Sequence, residues 1–359
     1  MDINSFALGY SAGRKKGGGV PPPETQEKEI TITENGTTEV TPDEGKLLSK
    51  VTVTTDIGPI ATEFPADLYF EGGYAEVNLP NATALKRQAF YQDTVLKTIT
   101  APKVKSIGSA VFYGCTKLET ANFPELESIG SQAFLDCSML TNIDIPDSVT
   151  GIETYAFSGC SSLISAKVPN GITKINSYTF RNCQKLATVQ LPTTLTNIDS
   201  YAFEGCKSLI LPELPDGVTT IGSYAFHKAF QNTTSRALTK LPDSLTKIGS
   251  SAFSGCYELK LTKIPSGVTT IDTSCFYQCT KMESMEIPSG VTTIKGTAFG
   301  VCGMLKTVVF KGTPSSIANN VFTGSTALTS IKVPWAEGAV ANAPWGATNA
   351  VITYNYTEG

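Results

Sequence analysis

Apolar positions return along this chain at fixed offsets within a long repeat, not in the 3.6- or 2-residue rhythm of one long helix or strand. One phenylalanine marks each copy: Phe90, Phe112, Phe134, Phe157, Phe180, Phe203, Phe226, Phe253, Phe276, Phe299 and Phe322, spaced by 22 or 23 residues with a single gap of 27. Around it stand Ile five residues before, usually Ala just before, Cys three after, Leu six after and a hydrophobic-Pro pair ending twelve after. The stretch Ile198 to Ile221 shows the unit in full.

One such unit cannot bury its own apolar face, so the period predicts a repeat solenoid in which stacked neighbours complete the core. A short strand is expected before each proline, which ends it because proline cannot donate to a ladder. The A-F-x-x-C stretch is expected to form a helical turn or 3₁₀ piece on the opposite wall. The Ile, Phe, Cys and Leu columns then face inward. Two positions before the prolines, Thr100, Asn122, Asp144, Lys167, Gln190, Glu213, Lys240, Lys263, Glu286 and Lys332 form a hydrophilic strip of mixed sign.

The unit I-x-x-x-A-F-x-x-C-x-x-L-x-x-h-x-h-P-x-x-h-T-x-I resembles the BspA-like leucine-rich-repeat family over roughly residues 75–334. The resemblance implies a leucine-rich-repeat solenoid of short parallel strands, with 22–23 residues per coil. Members of that family are adhesins and other surface-recognition proteins, so it implies binding and brings no catalytic residues.

The flanks depart from the repeat. Residues 1–23 pass from Phe6, Leu8 and Tyr10 through three glycines and three prolines, as an anchor peptide on a tether would. Residues 24–57 read as a small β-module, with Ile30 and Ile32, then Val51 and Val53, alternating with polar residues and a hairpin turn at Asn35-Gly36. The solenoid is assigned to 58–334 and a C-terminal cap with Trp335 and Trp345 to 335–359. The segment I-T-x-N-G-T-x-x-V-x-P-x-x-G-x-x-x-L-S-K-V-x-V, the leader S-F-A-L-G-Y-x-A-G-x-K-x-G-G-G and the tryptophan-containing ending resemble parts of tail and other structural proteins of phages of Gram-positive bacteria. That resemblance implies a virion protein attached to other virion proteins through Phe6, Leu8 and Tyr10, and a homo-oligomer is compatible with it.

Composition narrows the chemistry. A net charge of −4 leaves no concentrated basic surface for nucleic acid. No run of eighteen apolar residues exists to enter a membrane, and the N-terminus lacks the order of a secretory signal. Synthesis in a reducing cytoplasm and release by lysis are therefore expected. Eight cysteines share one repeat position and Cys275 replaces the Ala before Phe276; coil spacing would let adjacent thiols bridge, but the column reads first as a ladder of reduced, buried thiols and not as a metal site. No cofactor is implied. His227 is the chain's only histidine, so acid-base catalysis is poorly supported.

Candidate binding residues lie where the repeat is broken or decorated. Leu211, Leu238 and Leu261 occupy a polar position of three consecutive coils, and either turn inward through a bulge or form an exposed patch. The same stretch carries a four-residue insertion, making Phe230, Asn232 and Arg236 candidate contacts. Tyr155, Tyr178, Tyr201 and Tyr224 stand two before the Phe in successive coils, either as structural stacking or as a ladder for a sugar or protein epitope. The expected partner is a bacterial surface protein or glycan, with the chain on a phage tail or other appendage. The alternatives are a bacterial cell-surface adhesin and, less well supported, a glycan-processing enzyme.

Overall fold

The computed structural model describes residues 25–32, 47–55, 63–64, 76–232 and 237–357. Each coil contributes to three walls. The first holds strands of three or four residues ahead of the proline, the second two-residue strands ending at the Ile column, and the third a run of turns around A-F-x-x-C.

Among the described residues, pairing between coils is parallel, and equivalent positions face one another except at a shift between Gln26 and Glu27 in the first pair and at the Thr188–Ile210 bridge. On the first wall Glu76–Asn78, Thr98–Thr100 and Thr120–Asn122 lie side by side, with Val77 opposite Ile99 and Ile99 opposite Ala121. Ser284–Ile287, Thr307–Phe310, Ser330–Lys332 and Val351–Thr353 form its far end. On the second wall Lys174–Ile175, Asn197–Ile198, Thr220–Ile221 and Lys247–Ile248 stack in the same way. Successive strand residues face opposite sides, so Ile99, Ala166, Val189 and Ile331 enter the core while their neighbours meet solvent.

The turn wall is not helical, which corrects the helical or 3₁₀ expectation. Alternate N–H groups leave the coil: those of Tyr178, Phe180 and Asn182 donate to the carbonyls of Ser200, Ala202 and Glu204 at 3.1, 2.9 and 2.7 Å. The intervening Thr179, Arg181 and Cys183 donate three residues back, to Asn176, Tyr178 and Phe180. Left-handed residues at Tyr178 (φ 62°) and Asn182 (φ 57°) create this alternation, because each reverses the direction in which the next amide points. A helix would have kept every N–H within its own coil.

Ten ring pairs join Phe90 through Phe322 into one stack, with centroids 5.4 Å apart at Phe203–Phe226 and rings within 8° of parallel. All nine cysteines are free and buried. Their role goes beyond apolar filling: each of the eight in the repeat column donates its Sγ–H to the Phe carbonyl of the preceding coil, as Cys160 does to Phe134 at 3.1 Å. Ser325 takes over that position in the last coil and donates to Phe299 at 2.7 Å.

Both ends join the stack. Thr25–Ile32 pairs with Leu47–Thr55, and Leu47–Thr55 with Glu76–Asn78, in parallel. A hairpin between the first two strands would run antiparallel, so the hairpin expectation is corrected for that pair; its proposed turn at Asn35-Gly36 lies outside the described residues, as do Phe6, Leu8 and Tyr10. At the other end Trp335 and Trp345 are buried against Phe310, and Trp345 donates its indole N–H to the Ala341 carbonyl at 2.8 Å. Val351–Thr353 pairs with Ser330–Lys332 as the final strand of the first wall. The tryptophans thus cover the last coil.

Candidate recognition surface

The irregular coils resolve the leucine question. Leu211, Leu238 and Leu261 are buried, while Pro212, Thr239 and Thr262 face solvent. The inward residue has moved one position earlier in these coils, which is incompatible with period-2 alternation, and among the described residues the first wall has no multi-residue strand between Gln190 and Ser284. These leucines are core, and as ligand contacts they are withdrawn.

Phe230 is corrected in the same way. It is fully buried and stacks on Phe226 at 5.6 Å, in the coil where Ala229 holds the cysteine position. Asn232 is exposed and its backbone N–H donates to the Lys207 carbonyl at 2.9 Å. Arg236 lies outside the described residues.

The tyrosines form a continuous outer ladder. Tyr155–Tyr178, Tyr178–Tyr201 and Tyr201–Tyr224 have centroids 4.2, 4.6 and 4.8 Å apart and planes within 6°. Each is half-buried and left-handed, φ 58° to 62°, which aims its side chain out from the turn wall. The inner faces of the rings cover one another, so the ladder presents edges and hydroxyls to solvent. Beside it Arg181 Nε meets Glu204 Oε2 at 2.5 Å and its guanidinium lies 5.8 Å from the Tyr178 ring. The hydrogen bond to Glu204 raises the Arg181 pKa, and desolvation raises those of Tyr178 and Tyr201. His227 closes the ladder edge-on to Tyr224 at 5.5 Å, and burial, aided by Lys228, lowers its pKa.

A second aromatic pair lies on the same wall in another column. Tyr91 and Tyr113, each one residue after its Phe, stack at 4.9 Å. Between this column and the one that later carries the tyrosine ladder opens a surface recess of about 390 Å³, bordered by Arg87, Gln88, Tyr91, Ala110, Tyr113 and Gln132. Sequence reasoning missed it. The signal available was a small residue, Ala110, between Gln88 and Gln132 in the column that becomes Tyr155 onward.

The outward strip of the first wall is solvent-accessible at every one of its ten positions and interleaved with ion pairs such as Lys167–Asp147 at 2.7 Å and Lys311–Glu286 at 3.6 Å. Among the described residues no group of three or more His, Cys, Asp or Glu side chains is placed to hold a metal ion, and no helix is long and apolar enough to cross a membrane.

A family model described as BspA type leucine rich repeat region matches six copies in this chain, over residues 83–210, 154–228 and 227–337. Among solved structures, a leucine-rich repeat protein from Bacteroides ovatus is similar at 19% identity and TM-score 0.54, over 90% of this chain and 92% of its own. A leucine rich cell surface protein from Faecalibacterium prausnitzii is 27% identical over 75% of this chain and 90% of its own, with a TM-score of 0.47. A leucine-rich repeat protein from Eubacterium ventriosum is 20% identical, TM-score 0.48, over 79% and 84%. No curated protein matches.

Proposed function

The chain belongs to the BspA-type leucine-rich repeat family, and from that premise we propose that it is a non-enzymatic recognition protein whose solenoid binds a bacterial surface protein or glycan. The observation that carries this reading is the division of labour within the coil. Phe, Cys, Leu and Ile columns fill the interior, while the positions two before the proline, from Thr100 to Lys332, all reach solvent and change in polarity and charge from coil to coil. Such a surface can be rewritten without touching the core, which is how solenoids serve as binding scaffolds.

The particle that carries it is, in this proposal, a phage tail or other virion appendage. The support is the resemblance of its N-terminal, β-strand and C-terminal segments to phage structural proteins. Residues 1–23 then attach the chain to other virion proteins, and the solenoid meets the host. The second reading is a bacterial cell-surface adhesin, and the family match over residues 83–337 supports it, because the family resembled includes adhesins and other surface-recognition proteins.

Incubating the fluorescently labelled full chain with intact Gram-positive cells tests the recognition reading. Saturable binding that an unlabelled excess displaces is expected; binding that never saturates on any strain of a broad panel overturns it.

A further inference from the structure

The recess between the two tyrosine columns is a site that the repeat itself does not require. A column in which side chains of matching size stack from coil to coil leaves no hollow, as the ladder from Tyr155 to Tyr224 shows. Here Ala110, left-handed at φ 56° like the tyrosines that follow it, withdraws its side chain between Gln88 (φ 63°) and Gln132 (φ 59°). On the flank, Tyr91 and Tyr113 stack on each other and bound the recess with their edges.

The lining dictates what can bind. The backbone N–H groups of Gln88, Ala110 and Gln132 are already used between coils, donating to Ser109, Ser131 and Thr154 at 3.0, 2.9 and 3.0 Å. An extended peptide would therefore find no free strand edge to pair with. What remains is side-chain chemistry: two primary amides that both donate and accept, two phenols, the Ser109 hydroxyl and one guanidinium, with no carboxylate on the lining; the Ser131 hydroxyl already donates to the Thr154 carbonyl at 3.0 Å. A volume of about 390 Å³ lies at the small-ligand end of protein binding sites. A compact, hydroxyl-rich ring suits this set, and a carboxylate on that ring would meet Arg87 without opposition.

We propose that this recess binds an acidic saccharide, a hexopyranose unit bearing a carboxylate, with Gln88 and Gln132 taking ring hydroxyls and Arg87 the carboxylate. This deepens the recognition reading above and rests on it. A single cation is too little for a nucleic-acid backbone, which needs a concentrated basic surface.

The test uses the full chain and two probes, methyl glucuronide and methyl glucoside, with saturation-transfer NMR and titration in the millimolar range. The glucuronide is expected to show transfer and the glucoside to bind several-fold more weakly. Ala110→Tyr fills the recess with the residue its column carries two coils later and is expected to abolish transfer while leaving the melting temperature nearly unchanged. Should that variant melt early, Arg87→Ala on the exposed rim replaces it, and is expected to weaken glucuronide binding about tenfold or more, the loss of one charge-assisted contact. No transfer from either sugar, or wild-type affinity in a folded Ala110→Tyr or in Arg87→Ala, overturns the assignment. Because these outcomes concern one recess, saturable cell binding can persist through them, and failure here is distinguishable from failure of the recognition reading.

Discussion

The Cys206 thiol donates to the Phe180 carbonyl of the preceding coil across 3.1 Å, and the Cys183 N–H reaches the same oxygen at 3.2 Å. One carbonyl is thus shared between a turn within its own coil and a side chain of the next. This explains a column of cysteine where alanine would also fit, since a thiol is small and apolar yet carries a weak donor.

Thiol protection and pH dependence follow. Burial raises the pKa of Cys115, Cys137, Cys183, Cys206, Cys256, Cys279 and Cys302, to about 12 for Cys302, so the folded chain keeps protons that an unfolded thiol releases near about 8.5. The sign is then fixed: proton release favours unfolding at high pH, and the stabilisation is complete below about pH 8.5 and lost as the pH rises towards the folded values. A melting temperature flat from pH 6 to 8 and falling between about pH 9 and 11 is expected. At pH 8 a thiol reagent should label almost none of the nine cysteines until guanidinium is added.

Phe203→Ala should cost about 3–5 kcal/mol, because the ring is fully buried between Phe180 and Phe226 at 5.5 and 5.4 Å and its removal leaves a cavity in a continuous stack. Equilibrium denaturation measures it. A loss near zero would mean that the stack collapses around the gap without penalty.

Leu238→Ala separates an inward residue from an outward one. Full burial predicts a loss of about 2–5 kcal/mol, whereas Thr239→Ala at the neighbouring exposed position should change stability little. The reverse order, measured by the same denaturation, would place the slip in the wrong register.

Gly205 is left-handed at φ 72°, and a Cβ there would lie 2.5 Å from Asn182 Oδ1 of the preceding coil. Gly205→Ala should therefore lose about 1–2 kcal/mol from backbone strain alone, and more from the collision. In a double-mutant cycle, Asn182→Gly should recover the collision part and leave the strain.

Periodicity made the inward columns legible: spacing of Ile, Phe, Cys and Leu specifies which residues meet along a solenoid axis, and Phe203 and Cys206 lie where that reading places them. Conformation within the turn wall was not legible, because Tyr178 at φ 62° is a bulky residue in a region such residues rarely enter. Only the neighbouring coils, which accept its amide and stack its ring, hold it there. Phe230 misled because an insertion usually reads as a surface loop, yet this one returns an aromatic ring to the core beside Ala229. The recess was invisible for a related reason: it is made by what Ala110 lacks relative to Gln88 and Gln132 on either side of it in the same column.

The proposed virion assignment is tested most directly by mass spectrometry of density-purified virus-like particles from a culture that makes this chain. Its presence in fixed copy number per particle is the predicted result. Absence from the particles, with recovery of the chain from the cell envelope, would contradict the virion account and leave the adhesin reading in its place.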